Sequence, residues 1–128
     1  MCLTMAVYFE ARGEPPKGQV AVAQVIMNRV KSKRYPDDVC AVVKQGRHHN
    51  GIPLRNQCQF SFWCDGKSEV VRNRDAWGKA FMYSVAVYYE LIPDATNKAT
   101  HYHTTWVNPV WNIPMSITTQ VNNHIFYR

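Results

Sequence analysis

The sequence predicts a helix-dominated α+β domain with a small β sheet or hairpin towards its C-terminus. Two long segments, about 17–32 and 74–91, carry apolar residues at helical spacing, whereas the end of the chain has short extended stretches between turn residues. A length of 128 residues with 46% hydrophobic side chains suits one hydrophobic core. We therefore expect residues 1–128 to form a single domain.

Three helices are predicted in the first half of the chain, over about 3–12, 17–32 and 39–44. Gly13 and the prolines after it end the first helix, because a residue before proline is disfavoured in the helical region. In the second helix Val22, Ile26 and Val30 recur four positions apart, and this apolar face is typical of a buried central helix. Asp38 is the expected N-cap of the third helix.

The rest of the chain mixes loops, strands and one more helix. Residues 45–57 are polar and include glycine, which indicates an exposed loop, and residues 59–63 alternate polar and aromatic side chains like a strand. The fourth helix covers about 74–91. The remaining segments are 99–107 (extended), 108–114 (broken by prolines) and a hairpin of 117–121 with 125–128. Asn122-Asn123 would form its turn, since asparagine tolerates positive backbone angles.

The charge of the chain favours anionic partners. Fifteen Lys and Arg against nine Asp and Glu give a formal net charge of +6. The densest basic stretch, 30–34, lies at a predicted helix end, where cations complement the helix dipole, so no run typical of nucleic-acid binding is present. No stretch approaches about 18 consecutive apolar residues. We expect neither a nucleic-acid partner nor stable membrane insertion.

The chain has four cysteines, Cys2, Cys40, Cys58 and Cys64. In an oxidising compartment a disulfide between two of the last three is expected. Cys40–Cys58 and Cys58–Cys64 are the candidate pairs, and the spacing does not decide between them.

The segment Tyr8-Phe9-Glu10-Ala11-Arg12-Gly13-Glu14 is the first with a chemical signature. Glu10 falls in the last turn of an otherwise apolar helix, where burial and the negative end of the helix dipole both raise the pKa of a carboxyl. A general acid that works near neutral pH needs such a rise. Arg12 would oppose it if it lay close. A surface glutamate before a glycine cap is the alternative interpretation.

Two further segments could line a binding groove. Residues 58–66 interleave polar and aromatic side chains, which suits a groove that stacks sugar faces and hydrogen-bonds their hydroxyls, although an ordinary core strand has the same pattern. In the segment 101–111, His101 and His103 point to one face of an extended strand. Two metal ligands could share that face, but no spacing typical of a zinc site completes them. We favour a cleft lining and expect no metal and no cofactor.

These segments together resemble the cell-wall hydrolase family typified by the spore-cortex-lytic enzymes SleB and CwlJ. The resemblance runs from Leu3 to Arg128. Its anchors are Tyr8-Phe9-Glu10-Ala11-Arg12-Gly13-Glu14-Pro15, Gly18-Gln19-Val20-Ala21-Val22-Ala23, Asn28-Arg29-Val30, Gln59-Phe60-Ser61-Phe62, His103, Pro109 and Trp111. Several motifs in the family's order are more specific than any one of them.

The resemblance implies a compact lysozyme-like lytic domain that cleaves the MurNAc–GlcNAc backbone of peptidoglycan. By motif position, Glu10 is the catalytic acid and base. The implied substrate contacts are Gln59, Ser61, Phe62, Tyr102 and His103. Glu14 matches a second glutamate of the motif, and we expect it to cap or orient rather than to catalyse.

The choice of mechanism depends on a second carboxylate. A conventional glycosidase needs two, about 5–5.5 Å apart for retention or about 6.5–9.5 Å for inversion. After Glu10 the candidates are Glu14, Asp65, Glu69 and Asp75, and none has a clear claim. A one-carboxyl lytic transglycosylase is therefore favoured over a muramidase- or glucosaminidase-type hydrolase. A non-catalytic wall-binding module is the competing class, but the intact Glu10 motif argues against it.

The implied site of action is the bacterial cell wall, with peptidoglycan strands as the partner of a monomeric protein. Residues 1–8 lack the charged start of a signal peptide and run directly into the Glu10 motif. Export would then come from elsewhere, either from a phage lysis system, as for an endolysin, or from a missing upstream segment.

Overall fold

Four α-helices form the main body of the structure, a computed structural model that describes residues 1–112 and 114–128. They are α1 (Cys2–Ala11), α2 (Pro16–Lys31), α3 (Val39–Val43) and α4 (Arg74–Tyr88), so the predicted helices are confirmed. α1 packs against the other three, and α2 is central, with Val22, Val25 and Ile26 completely buried. None of these described helices is both long and apolar enough to cross a membrane.

Five short strands form two antiparallel sheets in the same described residues. β1 (Gly46–His49) pairs with β2 (Ile52–Cys58), while β3 (His101–Thr104), β4 (Ile117–Val121) and β5 (His124–Tyr127) form a sheet in the order β3-β5-β4. The predicted C-terminal hairpin is confirmed, and its turn residue Asn122 has a φ of 52°. The predicted class, helix-dominated α+β with a small sheet, is therefore confirmed. The predicted 108–114 loop contains a 3-10 turn at Val110–Asn112, and its position 113 lies outside the described residues.

Two predictions for the middle of the chain are wrong. Most of the predicted 45–57 loop is the β1–β2 hairpin, whose turn residues Asn50 and Gly51 have φ values of 53° and 78°. Its strands are mostly exposed and polar, so they lack the alternation that predicts a strand. The predicted 59–63 strand is instead a 3-10 turn over Ser61–Cys64. A disulfide holds the Cα atoms of Cys58 and Cys64 at 6.1 Å, whereas an extended strand over those steps would span roughly 20 Å.

The disulfides correct one predicted pair and confirm the other. Cys58 is bonded to Cys64, as one candidate pairing proposed. The alternative Cys40–Cys58 pair is wrong, because Cys40 in α3 is bonded to Cys2 at the start of α1. These two cysteines are 38 positions apart, and only the packing of α1 against α3 brings them together.

Tyr8 ties α1 to the start of α4. Its side chain is fully buried, and its ring meets that of Trp77 edge-on at a centroid distance of 5.5 Å. The hydroxyl accepts hydrogen bonds from the backbone N–H groups of Arg72 (3.2 Å) and Asn73 (3.1 Å). These contacts fix the rotation of α1, and therefore the side on which Glu10 projects.

α2 anchors the loop that leads into β3. Asn28 Nδ2 donates hydrogen bonds to Ala99 O (2.9 Å) and to Asp94 Oδ2 (3.0 Å). One turn earlier, Gln24 Nε2 donates to Pro93 O (2.9 Å). The loop has no regular structure of its own, so these side-chain contacts determine where β3 begins.

Replacing Tyr8 with Phe should lower the free energy of unfolding by about 1–3 kcal/mol, because the two N–H groups at the start of α4 lose their acceptor. Urea unfolding followed by circular dichroism measures this change. Tyr88→Phe is the matched control, since the Tyr88 side chain is half exposed on α4, and it should change stability by less than about 0.5 kcal/mol. Unchanged stability of Tyr8→Phe would contradict the anchoring role.

Candidate active site

A cleft of about 530 Å³ opens between the end of α1, residues 59–61 after β2, and the three-stranded sheet. It is lined by Glu10, Arg29, Gln59, Phe60, Ser61, His101, Tyr102, His103, Thr104, Val107, Trp111 and His124. A wider depression of about 640 Å³ lies near the start of α2, but its described lining includes no acidic residue and no histidine. The cleft combines one carboxyl group with three histidines, and these are groups that acid–base chemistry uses.

Glu10 lies in the last turn of α1 and lines this cleft. Burial raises the pKa of Glu10 from its ordinary value of 4.5 to about 7. Arg12, which would oppose that rise, instead lies over the ring of Tyr8, 4.9 Å from its centroid. Near neutral pH a large share of Glu10 is consequently an uncharged acid that can donate a proton.

Tyr102, in β3, is a neutral hydrogen-bond donor in the cleft. Burial raises the pKa of Tyr102 well above its ordinary value, the charge of Glu10 raises it further, and Arg29 opposes the rise. Its ring packs against Phe126 and His124 at centroid distances of 5.6 Å and 5.2 Å. The phenol thus keeps its proton at every pH at which Glu10 titrates.

His103 is held by hydrogen bonds at both ring nitrogens. Nδ1 lies 2.7 Å from Thr104 O, and because a carbonyl oxygen only accepts, Nδ1 carries the proton. Nε2 lies 2.7 Å from the hydroxyl of Tyr127, which donates to it when the ring is neutral. The ring of Trp111 meets the imidazole edge-on at 5.7 Å. His103 is accordingly a fixed part of the cleft wall.

Glu14 lies outside the cleft lining and contacts His124, which belongs to that lining. Its Oε1 lies 3.1 Å from Nδ1 of His124, which is 5% exposed, although the ring N–H is not aligned for a hydrogen bond. Burial lowers the pKa of His124, and the charge of Glu14 opposes that change. Gln19 Nε2 donates to the backbone oxygen of Glu14 at 3.0 Å and fixes its position. These contacts direct Glu14 towards His124, and its orienting role stays a prediction.

The other candidate carboxylates lie away from the cleft. Asp65 and Glu69 line a separate depression, and Asp75 pairs with a lysine one turn further along α4 at 3.3 Å. Glu14 is directed towards the buried imidazole described above. Among the described residues that line the cleft, Glu10 is the one that bears a carboxyl group.

Four of the five predicted substrate contacts meet Glu10 in this cleft: Gln59, Ser61, Tyr102 and His103. Phe62, the fifth predicted contact, does not line the cleft. Its side chain is 7% exposed and stacks on Phe9 at a centroid distance of 5.2 Å. The reason is the 3-10 turn, which directs Phe62 towards α1 rather than along a strand facing the cleft.

Sequence reasoning missed two charged or titratable residues of the cleft, Arg29 and His124. Arg29 could have been noticed in the sequence, because it is a charged residue on the same helix face as the apolar Val22 and Ile26. His124 had none, because its place depends on the pairing of β5 with β3.

The described residues offer no complete metal site. His101 and His103 both line the cleft, as expected for same-face positions of a strand. All four cysteines are in disulfides, and within the described chain no group of three or more His, Cys, Asp or Glu could hold a metal ion.

Comparison with known sequences identifies relatives over most of the chain. A family model described as Cell Wall Hydrolase matches residues 13–127, a range that begins just after Glu10. A spore cortex-lytic enzyme of Bacillus cereus is 33% identical over 129 positions, covering 94% of this chain and 40% of the relative. One from Oceanobacillus iheyensis is 60% identical over 47 residues, covering 37% of this chain and 17% of the relative. The matched regions thus span two fifths or less of these relatives.

Two solved structures share the fold. The catalytic domain of the germination-specific lytic transglycosylase SleB from Bacillus anthracis has a TM-score of 0.72 and 29% identity, covering 99% of this chain and 91% of its own. The catalytic domain of the Bacillus cereus SleB protein has a TM-score of 0.67 and 28% identity, covering 98% and 86%. The resemblance drawn from the sequence motifs is confirmed.

The raised pKa of Glu10 should make the stability of the protein depend on pH. The folded state binds this proton more tightly than the unfolded state, so the free energy of unfolding falls as pH rises from about 4.5 to about 7. Glu10→Gln removes the penalty of a buried carboxylate. Relative to wild type, the variant should therefore gain up to about 3 kcal/mol between roughly pH 4 and pH 8.

Urea unfolding of both proteins across this pH range measures the difference. Glu69→Gln, at an exposed carboxylate, is the control and should track wild type at every pH. A stability difference between Glu10→Gln and wild type that is constant with pH would show that Glu10 is not buried as described.

Proposed function

The chain belongs to the cell wall hydrolase family, and from this we propose that it cleaves the MurNAc–GlcNAc backbone of peptidoglycan as a lytic transglycosylase, with Glu10 as its single general acid and base. The observation that carries the proposal is one protonatable carboxyl, with a pKa of about 7, in a cleft whose other described lining residues bear none. We further propose that residues 1–128 act as one monomeric catalytic domain on the bacterial cell wall.

A single carboxyl suffices for the reaction. Glu10 first donates its proton to the glycosidic oxygen, and the bond from that oxygen to C1 of the muramoyl residue breaks. The carboxylate left behind then accepts the proton of the 6-hydroxyl of the same sugar, whose oxygen bonds to C1. The products are a GlcNAc end and a 1,6-anhydromuramoyl end, no water is consumed, and Glu10 is protonated again.

A two-carboxyl hydrolase is the competing mechanism. It would need a partner for Glu10 at about 5–5.5 Å or about 6.5–9.5 Å, across the scissile bond. Asp65 and Glu69 belong to another depression, and Glu14 is engaged with His124. The absence of a partner carboxyl among the described cleft residues supports the transglycosylase, as does the similarity to SleB from Bacillus anthracis, a lytic transglycosylase.

The proposed substrate contacts follow from the polar lining. Gln59 and Ser61 on one wall and Tyr102 on the other line the same cleft as Glu10 and can hydrogen-bond sugar hydroxyls and amides. His103, whose ring nitrogens both bond within the protein, is proposed to contact the sugar through its ring. Trp111, 39% exposed in the lining, offers an aromatic face for a sugar ring. In this proposal it supplies the sugar stacking that the sequence suggested for the aromatic residues of segment 58–66.

Glu10→Gln should abolish the release of soluble fragments from purified peptidoglycan, because the amide can neither donate the required proton nor accept one. Mass spectrometry of the fragments made by wild type should reveal anhydromuramoyl ends. Reducing ends in their place would indicate hydrolysis and contradict the one-carboxyl mechanism. Activity of Glu10→Gln above a few per cent of wild type would exclude Glu10 as the essential acid, and inactive wild type would favour a non-catalytic wall-binding module.

Gln59→Ala should lower kcat/KM on peptidoglycan by about tenfold, which corresponds to one lost hydrogen bond of about 1.4 kcal/mol. His103→Ala should also lower kcat/KM, because the cleft wall loses the imidazole that Thr104 and Tyr127 hold in place. Gln57→Ala and His49→Ala are matched controls at exposed positions of the β1–β2 hairpin and should retain wild-type kcat/KM. If both cleft variants also kept full activity, the substrate would bind elsewhere.

A further inference from the structure

Arg29 is a charged cleft residue that the proposed acid–base steps do not use. It lies on α2, it is 5% exposed, and it lines the cleft together with Glu10. Its Nε donates a hydrogen bond to Thr100 O at 2.7 Å, whereas Nη1 is buried and has no hydrogen-bond partner. No carboxylate of the described residues lies within ion-pair distance of it.

Burying a cation without a carboxylate beside it costs free energy, so the presence of Arg29 at this buried position calls for an explanation. Burial lowers the pKa of Arg29, and the neighbouring Tyr35 and Tyr102 oppose this. The rings of Tyr35 and Phe60 lie 5.1 Å and 5.5 Å from the guanidinium carbon and hold the group in place. Aromatic faces supply no oxygen acceptor, and the fork of the guanidinium still has N–H groups to donate.

The position of Arg29 relative to the reacting groups is informative. The phenol of Tyr102 is influenced by the charges of both Glu10 and Arg29, so it lies within electrostatic range of each. Glu10, Tyr102 and Arg29 line the same cleft, so a sugar whose glycosidic oxygen meets Glu10 lies in the cleft that Arg29 also lines. The amino sugars of peptidoglycan carry N-acetyl groups, and the muramoyl residue also carries an ether-linked lactyl group with a carboxyl group. The oxygens of both groups accept hydrogen bonds.

We propose that Arg29 binds an acyl oxygen of the glycan strand, on a sugar next to the bond that Glu10 protonates. This assignment rests on the proposed function of the cleft. The acceptor is a carbonyl oxygen of an N-acetyl group or an oxygen of the lactyl side chain, and the planar guanidinium suits either. Arg29 would thereby select acylated amino sugars and place them against Glu10.

Binding to the Glu10→Gln protein tests the proposal without turnover. Isothermal titration calorimetry would compare this parent with versions that also carry Arg29→Met or Arg29→Lys. The probes are a muramoyl tetrasaccharide from peptidoglycan and N-acetylglucosamine tetrasaccharide, which lacks the lactyl group.

We expect Arg29→Met to raise the Kd for the muramoyl probe about ten- to a hundredfold, and Arg29→Lys to raise it less, because the lysine keeps the charge. A loss on both probes assigns the N-acetyl oxygen, and a loss on the muramoyl probe alone assigns the lactyl oxygen.

Asn28→Ala is the matched control. Asn28 is the neighbour of Arg29 on α2, it bonds the same loop through Ala99 O, and it is absent from the cleft lining. It should lower the melting temperature and raise the Kd of the folded protein much less than Arg29→Met does, because Gln24 still holds the loop. An effect of Asn28→Ala on Kd as large as that of Arg29→Met would assign the loss to loop displacement and overturn the proposal.

Two other outcomes are decisive. If both Arg29 variants bind the muramoyl probe like the parent, the Arg29 assignment is wrong while the proposed function of the cleft stands. If the parent itself binds neither tetrasaccharide, the proposed function and the Arg29 assignment are both overturned.

Discussion

The partial burial of Glu10, at the end of a helix α1 that packs against α2, α3 and α4, raises the pKa of its carboxyl, and the acid–base chemistry proposed for the cleft depends on that burial. The Cys2–Cys40 disulfide ties the start of the helix to α3, and Tyr8 ties its middle to the start of α4. Glu10 follows Tyr8 by two positions and lies on another side of the helix, where it lines the cleft. Because it is buried without a cationic neighbour that shifts its titration, the carboxyl favours its protonated form up to a pH of about 7.

The remaining walls of the cleft come from segments that are distant in sequence. Asn28 and Gln24 of α2 hold the loop that delivers β3, and β3 brings Tyr102 and His103 opposite Glu10. On the other side, the Cys58–Cys64 disulfide closes a short turn that contains Gln59 and Ser61. Hydrogen bonds or a disulfide thus hold each of these walls in place. Such a braced site can hold a substrate in one geometry, as general acid catalysis requires.

The sequence predicted what local patterns control and missed what long-range contacts control. The four helices followed from apolar spacing and from the prolines that end some of them. Glu10 was noticed for its place in an apolar helix, and its catalytic assignment came from the family resemblance. The β1–β2 hairpin was missed because its strands are exposed on both faces and carry no alternation. Phe62 was assigned to the cleft because the turn imposed by the Cys58–Cys64 bond is invisible in the residue pattern. Cys2–Cys40 and His124 likewise depend on which elements pack together, which a single sequence does not contain.

The central claim is that Glu10 is an acid with a pKa near neutrality because of burial alone. The most direct test is a carbon-13 NMR titration of the side-chain carboxyls, with the Glu10 signal identified by its absence in Glu10→Gln. The account predicts a midpoint at about pH 7. A midpoint near the ordinary value of 4.5 would mean that water reaches the carboxyl freely, and the one-carboxyl mechanism would lose its physical basis.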